Sequence, residues 1–194
     1  MHEVAYECDS YYRSRVIMDR EAGDYTIADI ENLPDNQRAE LIDGKMYMMA
    51  TPTASHQDIA GFIYSLFREF IKRENGNCKS YIAPYAVYLD ESKNYVEPDV
   101  SIICDKNKLD EKGCHGAPDL VVEVVSDSSV RMDYVVKLFK YRAYGVREYW
   151  IVDQKKNRIQ VYDLEHDEIN EYSFEDTVPV GIYQGQLCLD FKEI

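Results

Sequence analysis

A chain of 194 residues, 45% of them hydrophobic, suits one domain with a full core and is a tight fit for two. Its formal net charge of −14 works against phosphate-backbone partners on average, and no stretch approaches the roughly 18 apolar residues that cross a bilayer. The five cysteines, Cys8, Cys78, Cys104, Cys114 and Cys188, form no CxxC pair and no zinc-type cluster. With no basic-then-apolar leader at the start, they read as ordinary thiols of a soluble, cytoplasmic protein.

Residues 1–24 mix charges with tyrosines at no steady period and read as an arm ahead of a domain over 25–194. Thr26 and Asp29 make a capping-box pattern for a short helix that stops before Pro34. Asp43-Gly44, between two mostly apolar runs, predicts a hairpin with strands near 38–42 and 45–49. Ser55 is placed to cap a long helix, with Asp58 at its third position. Ile59, Phe62, Ile63, Leu66, Phe67, Phe70 and Ile71 recur at helical spacing along it. SYIAPYAVYLD reads as one strand, ESKN as a turn, VEPDVSIIC as a strand and residues 105–118 as a loop.

PDLVVEVVS is the most strand-like run in the chain, and its valines predict an interior strand covered on both faces. Ser128 or Ser129 can cap a following helix that ends at Gly145. Val135, Leu138 and Phe139 lie along one side of that helix, and Lys137 lies away from them among Tyr134, Tyr141 and Tyr144. Strands at REYWIVD and RIQVYDL follow, then shorter alternating pieces near 168–174 and 187–191. Charge is uneven along the chain. Residues 131–158 carry +5, which leaves −19 for the rest, so this segment is a candidate docking face or an ordinary solvated surface.

Glu123 is the most informative residue. A carboxylate inside an all-valine strand is costly unless it is paired, protonated or bound to metal. Asp99 follows Pro98 at the start of a strand placed to neighbour Glu123. Two such acids, with backbone carbonyls and water, suit a hard divalent cation. The four histidines never pair at i, i+4, which argues against a zinc hydrolase.

The stretches ELIDGKMYMMATPTASHQ (40–57), YVEPDVSIIC (95–104), GAPDLVVEVVS (116–126) and KLFKYRAYGVREYWIVD (137–153) resemble the Uma2 family of restriction-endonuclease-like proteins, within the PD-(D/E)XK nuclease superfamily. The resemblance covers roughly residues 25 to 190. It implies an α/β or α+β fold with a restriction-endonuclease-like core, a mixed central sheet flanked by helices. It implies Mg²⁺ or Mn²⁺ as cofactor, held by Asp99, Glu123 and the backbone carbonyl of Val124. It also implies Glu40 as the acid contributed ahead of the sheet core. Val125 departs from the superfamily pattern, because a lysine normally stands there, and the lysine role passes by resemblance to Lys137. His56 and Gln57 match the family block at the start of the long helix, with His56 a candidate phosphate contact or support for Glu40.

The activity implied is metal-dependent hydrolysis of DNA phosphodiester bonds, by a protein that is a candidate homodimer. Two other readings stand beside it. One is a non-catalytic nucleic-acid-binding or regulatory protein that keeps the nuclease fold. The other is a structural interaction module with Glu123 in a buried ion pair.

Overall fold

The computed structural model describes residues 24–127 and 129–194, so the arm expected over residues 1–24 and the candidate cap Ser128 fall outside the described residues, apart from Asp24. The chain divides into two compact units. One comprises residues up to Met49 together with Glu91–Asn94, and the other comprises Ala50–Asp90 with Tyr95–Ile194.

In the first unit, α1 (Ile27–Glu31) starts where the Thr26 backbone N–H and hydroxyl both donate to Asp29 Oδ2, at 2.8 and 2.9 Å. That is the expected capping box. Strands β1 (Ala39–Ile42) and β2 (Lys45–Met48) form the antiparallel hairpin expected around Asp43-Gly44, where both turn residues have positive φ. The 91–94 turn is stapled to that hairpin. Asn94 Oδ1 accepts from the Asp43 N–H at 3.0 Å, and the Lys93 carbonyl accepts from the Gly44 N–H at 3.1 Å.

The second unit is built on α2 (Ala54–Arg73), whose cap is Thr53 rather than Ser55. Thr53 is extended and its hydroxyl accepts from the His56 N–H at 3.3 Å, while the Ser55 hydroxyl turns back to Thr53 Oγ1. The expected single strand over SYIAPYAVYLD is split into β3 (Lys79–Ile82) and β4 (Val87–Tyr88), because Pro84 offers no N–H to a ladder. VEPDVSIIC is likewise split at Pro98 into β5 (Tyr95–Val96) and β6 (Val100–Ile103). The 105–118 loop holds the two-residue β7 (Cys114–His115). Next come β8 (Leu120–Val124), a π-helical stretch Met132–Lys137 that runs into α3 (Leu138–Tyr144), and β9 (Glu148–Asp153). The chain ends with β10 (Arg158–Asp163), β11 (Glu168–Tyr172), β12 (Thr177–Pro179) and β13 (Cys188–Asp190).

Six of these strands form a mixed sheet in the order β11-β10-β9-β8-β6-β3, with β8 and β9 parallel and the other pairs antiparallel. This is the mixed α+β architecture that the sequence predicts. On one face, Ile59, Ile63, Phe67 and Phe70 of α2 join Val100, Ile102, Leu120, Val122, Trp150 and Val152 in a continuous core. Each fully buried aliphatic or aromatic side chain there contributes roughly 1.5–3 kcal/mol. Strand alternation sends Val121, Glu123, Ser101 and Tyr149 to the opposite face, where the π stretch and α3 cover Glu123 and Tyr149.

The cysteine expectation needs correction. Cys78 and Cys104 are joined by a disulfide, because they continue the antiparallel β3/β6 pairing one residue beyond Lys79 and Ile103. Cys114 is a buried thiol and Cys188 an exposed one. Among the described residues no helix is long and apolar enough to cross a membrane.

Glu148 is a second buried acid, and it is structural. Its carboxylate accepts from the Trp150 indole at 2.7 Å and from the Gly181 and Ile182 N–H groups at 3.1 and 2.7 Å, which ties the C-terminal segment to β9. Burial raises its pKa above the usual 4.5, against the lowering effect of those three donors. Glu148→Ala should cost about 3 kcal/mol in denaturant unfolding followed by Trp150 fluorescence. Because the folded-state value is raised, that loss should be largest below pH 4.5 and shrink as pH rises through the raised value. Reducing the Cys78–Cys104 disulfide, which closes a 26-residue separation, should lower stability by about 3 kcal/mol in the same assay.

Candidate functional site

The β6/β8 register pairs Val100 with Val122, so Asp99, one residue before β6, stands opposite Glu123. Directly opposed residues of an antiparallel pair share a face. The Asp99 carboxylate is held there by the Val124 N–H, which donates to its Oδ2 at 2.8 Å. The Asp99 carbonyl accepts from the Ala83 N–H at 3.0 Å, which carries the β3/β6 pairing one residue further and holds the backbone at the strand end.

Glu123 is 3% exposed, and the covering elements answer its charge. Lys137 Nζ donates to Glu123 Oε1 at 2.9 Å, and the Tyr141 hydroxyl donates to the same oxygen at 2.7 Å. Asp133 Oδ1 lies 3.8 Å from Lys137 Nζ, and the Tyr149 hydroxyl donates to the Asp133 carbonyl at 3.0 Å. The buried face of this segment is therefore Asp133, Lys137 and Tyr141, while Val135 is 50% and Phe139 72% exposed. That arrangement inverts ordinary amphipathic packing. A buried, uncompensated carboxylate costs several kcal/mol, more than burying one or two apolar side chains returns. The switch into π geometry at Met132–Lys137 falls at this cluster, as such turns often do at functional sites.

His56, at the start of α2, reaches Asp99 from the other side. Its Nε2 is 3.2 Å from Asp99 Oδ2, and its Nδ1 is buried without a hydrogen-bond partner. Burial acts to lower the imidazole pKa. The Asp99 hydrogen bond and charge, the Val124 backbone and the Asp133 charge outweigh it, and the net shift is upward. A positive or proton-bearing ring thus sits where the Asp99 carboxylate and the Val124 backbone both present acceptors. These are two of the oxygen groups expected to hold a cation, so the donor set suits a hard divalent ion. No three His, Cys, Asp or Glu side chains among the described residues already converge in ligand geometry. In place of such convergence, Glu123 is engaged by Lys137 and Tyr141, and Asp99 by Val124 and His56.

Four residues named from the sequence, Asp99, Glu123, Val124 and Lys137, therefore lie at one end of the β6/β8 pair. Glu40 lies on β1 of the first unit, buried and paired in register with Tyr47. Val125 donates its N–H to the Val152 carbonyl and adds no polar side chain. The Ser126 N–H bonds the Ser129 hydroxyl at 2.9 Å and fixes the loop after β8. Asp133 and Tyr141 were not singled out as site residues. Their signal was the i, i+4, i+8 spacing with Lys137. The helical wheel showed it only once Glu123 was known to lie beneath that face.

Most bases of the +5 segment lie beside acids. Lys137 is buried against Glu123, Arg142 pairs with Asp167, and Arg147 pairs with Asp119 and Glu165. Lys155 pairs with Asp127, Lys156 with Asp153 and Arg158 with Glu171. Six of its eight bases thus lie beside acids, several of them from distant parts of the chain, as on an ordinary solvated surface.

A mixed sheet with paired acids at the end of two adjacent strands and a lysine bound to one of them defines a protein of restriction-endonuclease-like architecture. The chain belongs to the Uma2 family, described as "Putative restriction endonuclease", whose profile matches residues 26–187. The protein slr1290 of Synechocystis sp. is 27% identical over 135 residues, which are 68% of this chain and 68% of that one. A crystal structure from Anabaena variabilis, described as "a putative nuclease belonging to DUF820", superposes with a TM-score of 0.71 at 19% identity, over 87% of this chain and 96% of that one, and shows the shared fold.

Lys137→Met leaves the Glu123 carboxylate buried without its cation, and it should cost about 3 kcal/mol in urea unfolding. Pairing it with Glu123→Gln should recover most of that loss. A double variant as unstable as Lys137→Met alone would show that the lysine acts through packing instead.

Proposed function

We propose that the protein is a metal-dependent nuclease that hydrolyses DNA phosphodiester bonds at the Asp99–Glu123 end of the sheet. The observation that carries this reading is the meeting of Asp99, Glu123 and Lys137 from three separate stretches of chain, in a protein of a nuclease family. Asp99, Glu123 and the Val124 carbonyl would hold one Mg²⁺ or Mn²⁺. When bound, such an ion supplies charge stabilisation at a phosphoryl oxygen and an acidified water.

The chain's own groups do the rest. The Val124 N–H fixes Asp99, and the Tyr141 hydroxyl fixes Glu123 through Oε1. Lys137 carries the cationic role that Val125 cannot. Its ammonium, already inside the cluster, stands to neutralise charge that grows on the phosphoryl oxygens as the bond to the attacking oxygen forms. His56, beside Asp99, stands to hold the carboxylate's orientation or to donate to a phosphate oxygen. Glu40 is carried forward from the family resemblance as a further acid for activity, and Glu40→Gln tests it.

A second reading has one observation in its favour. The Glu123–Lys137 pair is the buried ion pair that a structural module would also display. The two readings separate on one experiment. Asp99→Ala and Glu123→Gln should each abolish Mn²⁺-dependent cleavage of duplex or single-stranded DNA while retaining the fold by circular dichroism. Titration of wild type with Mn²⁺ should release or absorb heat, and Glu123→Gln should weaken that signal. Cleavage by Asp99→Ala at the wild-type rate would reject the site. Wild-type protein that neither takes up Mn²⁺ nor cuts DNA would leave the structural module.

A further inference from the structure

A protein of net charge −14 that acts on DNA needs somewhere to meet phosphates, and six of the eight bases of the 131–158 segment lie beside acids. Elsewhere in the second unit, Arg68 and Lys72 of α2, Lys79 of β3 and Lys106 line one concavity of about 440 Å³. No carboxylate lines it, and Asn75 and Ser80 add neutral polar groups. None of the four cations pairs with an acid among the described residues. Arg68 donates to the Tyr64 hydroxyl at 2.8 Å, a neutral partner that fixes the guanidinium without cancelling its charge. The wall between Lys79 and Lys106 is anchored by the Cys78–Cys104 disulfide, which joins the start of β3, where Lys79 stands, to the residue after β6, two before Lys106. Lys72 also complements the C-terminal end of the α2 dipole, but Lys79 and Lys106 belong to other elements and converge on the same hollow.

From these features we infer that this concavity is a nucleic-acid backbone contact, receiving phosphates of the same DNA whose scissile bond lies at Asp99 and Glu123. The inference rests on the nuclease reading and adds to it a place for substrate away from the chemistry. Geometry sets the separation. His56 sits at the N-terminal end of α2, and at 1.5 Å per residue Arg68 and Lys72 lie roughly 18 and 24 Å along the axis from it. Backbone phosphates are spaced about 3.4 Å per step along a duplex. A duplex laid along α2 would have its contacted phosphates about five to seven base pairs from the cut. Acidic surface elsewhere would repel DNA bound in other orientations, so a basic hollow on an acidic protein favours docking there.

The test is binding of a fluorescein-labelled 24-base-pair duplex, by anisotropy, with chelator present so that nothing is cut. Lys72→Gln, Lys79→Gln and Lys106→Gln combined should weaken binding at least tenfold at low salt. The combination should also reduce the slope of log affinity against log salt by about 3, roughly 0.9 per lost phosphate contact. Each single variant should reduce it by about 1, which keeps the test valid if the triple variant fails to fold. A control that removes three charges elsewhere, Lys45→Gln with Lys155→Gln and Lys192→Gln, should leave the slope as in wild type. Equal slopes for wild type and the pocket variants, or equal losses from pocket and control variants, would overturn the inference while the metal site remained. Absence of any DNA binding by wild type would overturn it too, and Mn²⁺ titration of wild type against Glu123→Gln would then show separately whether the metal site stands.

Discussion

The structure turns on the need to satisfy one carboxylate in the middle of β8. Glu123 lies on a strand whose five residues are all buried. Its charge therefore has to be answered by whatever covers that face. Lys137 and Tyr141 answer it, both through Oε1. Presenting Asp133, Lys137 and Tyr141 inward leaves Val135 and Phe139 in solvent, so the fold accepts exposed apolar surface to avoid a bare buried charge. The π stretch lies where this inward polar stripe begins.

The same economy of charge runs through the rest of the second unit. Glu148, a deeply buried acid at the start of β9, is held by an indole and two backbone N–H groups. Its role is therefore to anchor a segment. Asp99 lies between these cases, with a backbone N–H on one side and an imidazole on the other. Three buried or half-buried acids on neighbouring strands thus have three kinds of partner. Away from the site, bases are mostly consumed by nearby acids, which makes the lysines without partners beside the Cys78–Cys104 disulfide stand out.

Much of the fold was legible in local patterns. Asp43-Gly44 announced its hairpin, the Thr26–Asp29 box its helix, and the valine run its interior strand, because each depends on a few adjacent residues. Prolines were read less well. Pro84 and Pro98 each divide what looked like one strand, since an apolar alternation persists across a residue that cannot join a ladder. Of the site, Glu123 was conspicuous as an acid among valines and Asp99 as the acid opening a neighbouring strand, while Lys137 came from the family resemblance.

By itself the sequence determined the element types, the mixed α+β class, the Uma2 membership and the acid that had to be satisfied, all of which follow from short-range pattern and residue chemistry. Only the tertiary structure decided which side of the Met132–Tyr144 segment turns inward, that His56 reaches Asp99, that Cys78 meets Cys104, and which distant acids the bases of the 131–158 segment meet. Each of these depends on groups brought together from far apart in the chain, and no local period encodes which distant charge a side chain will meet.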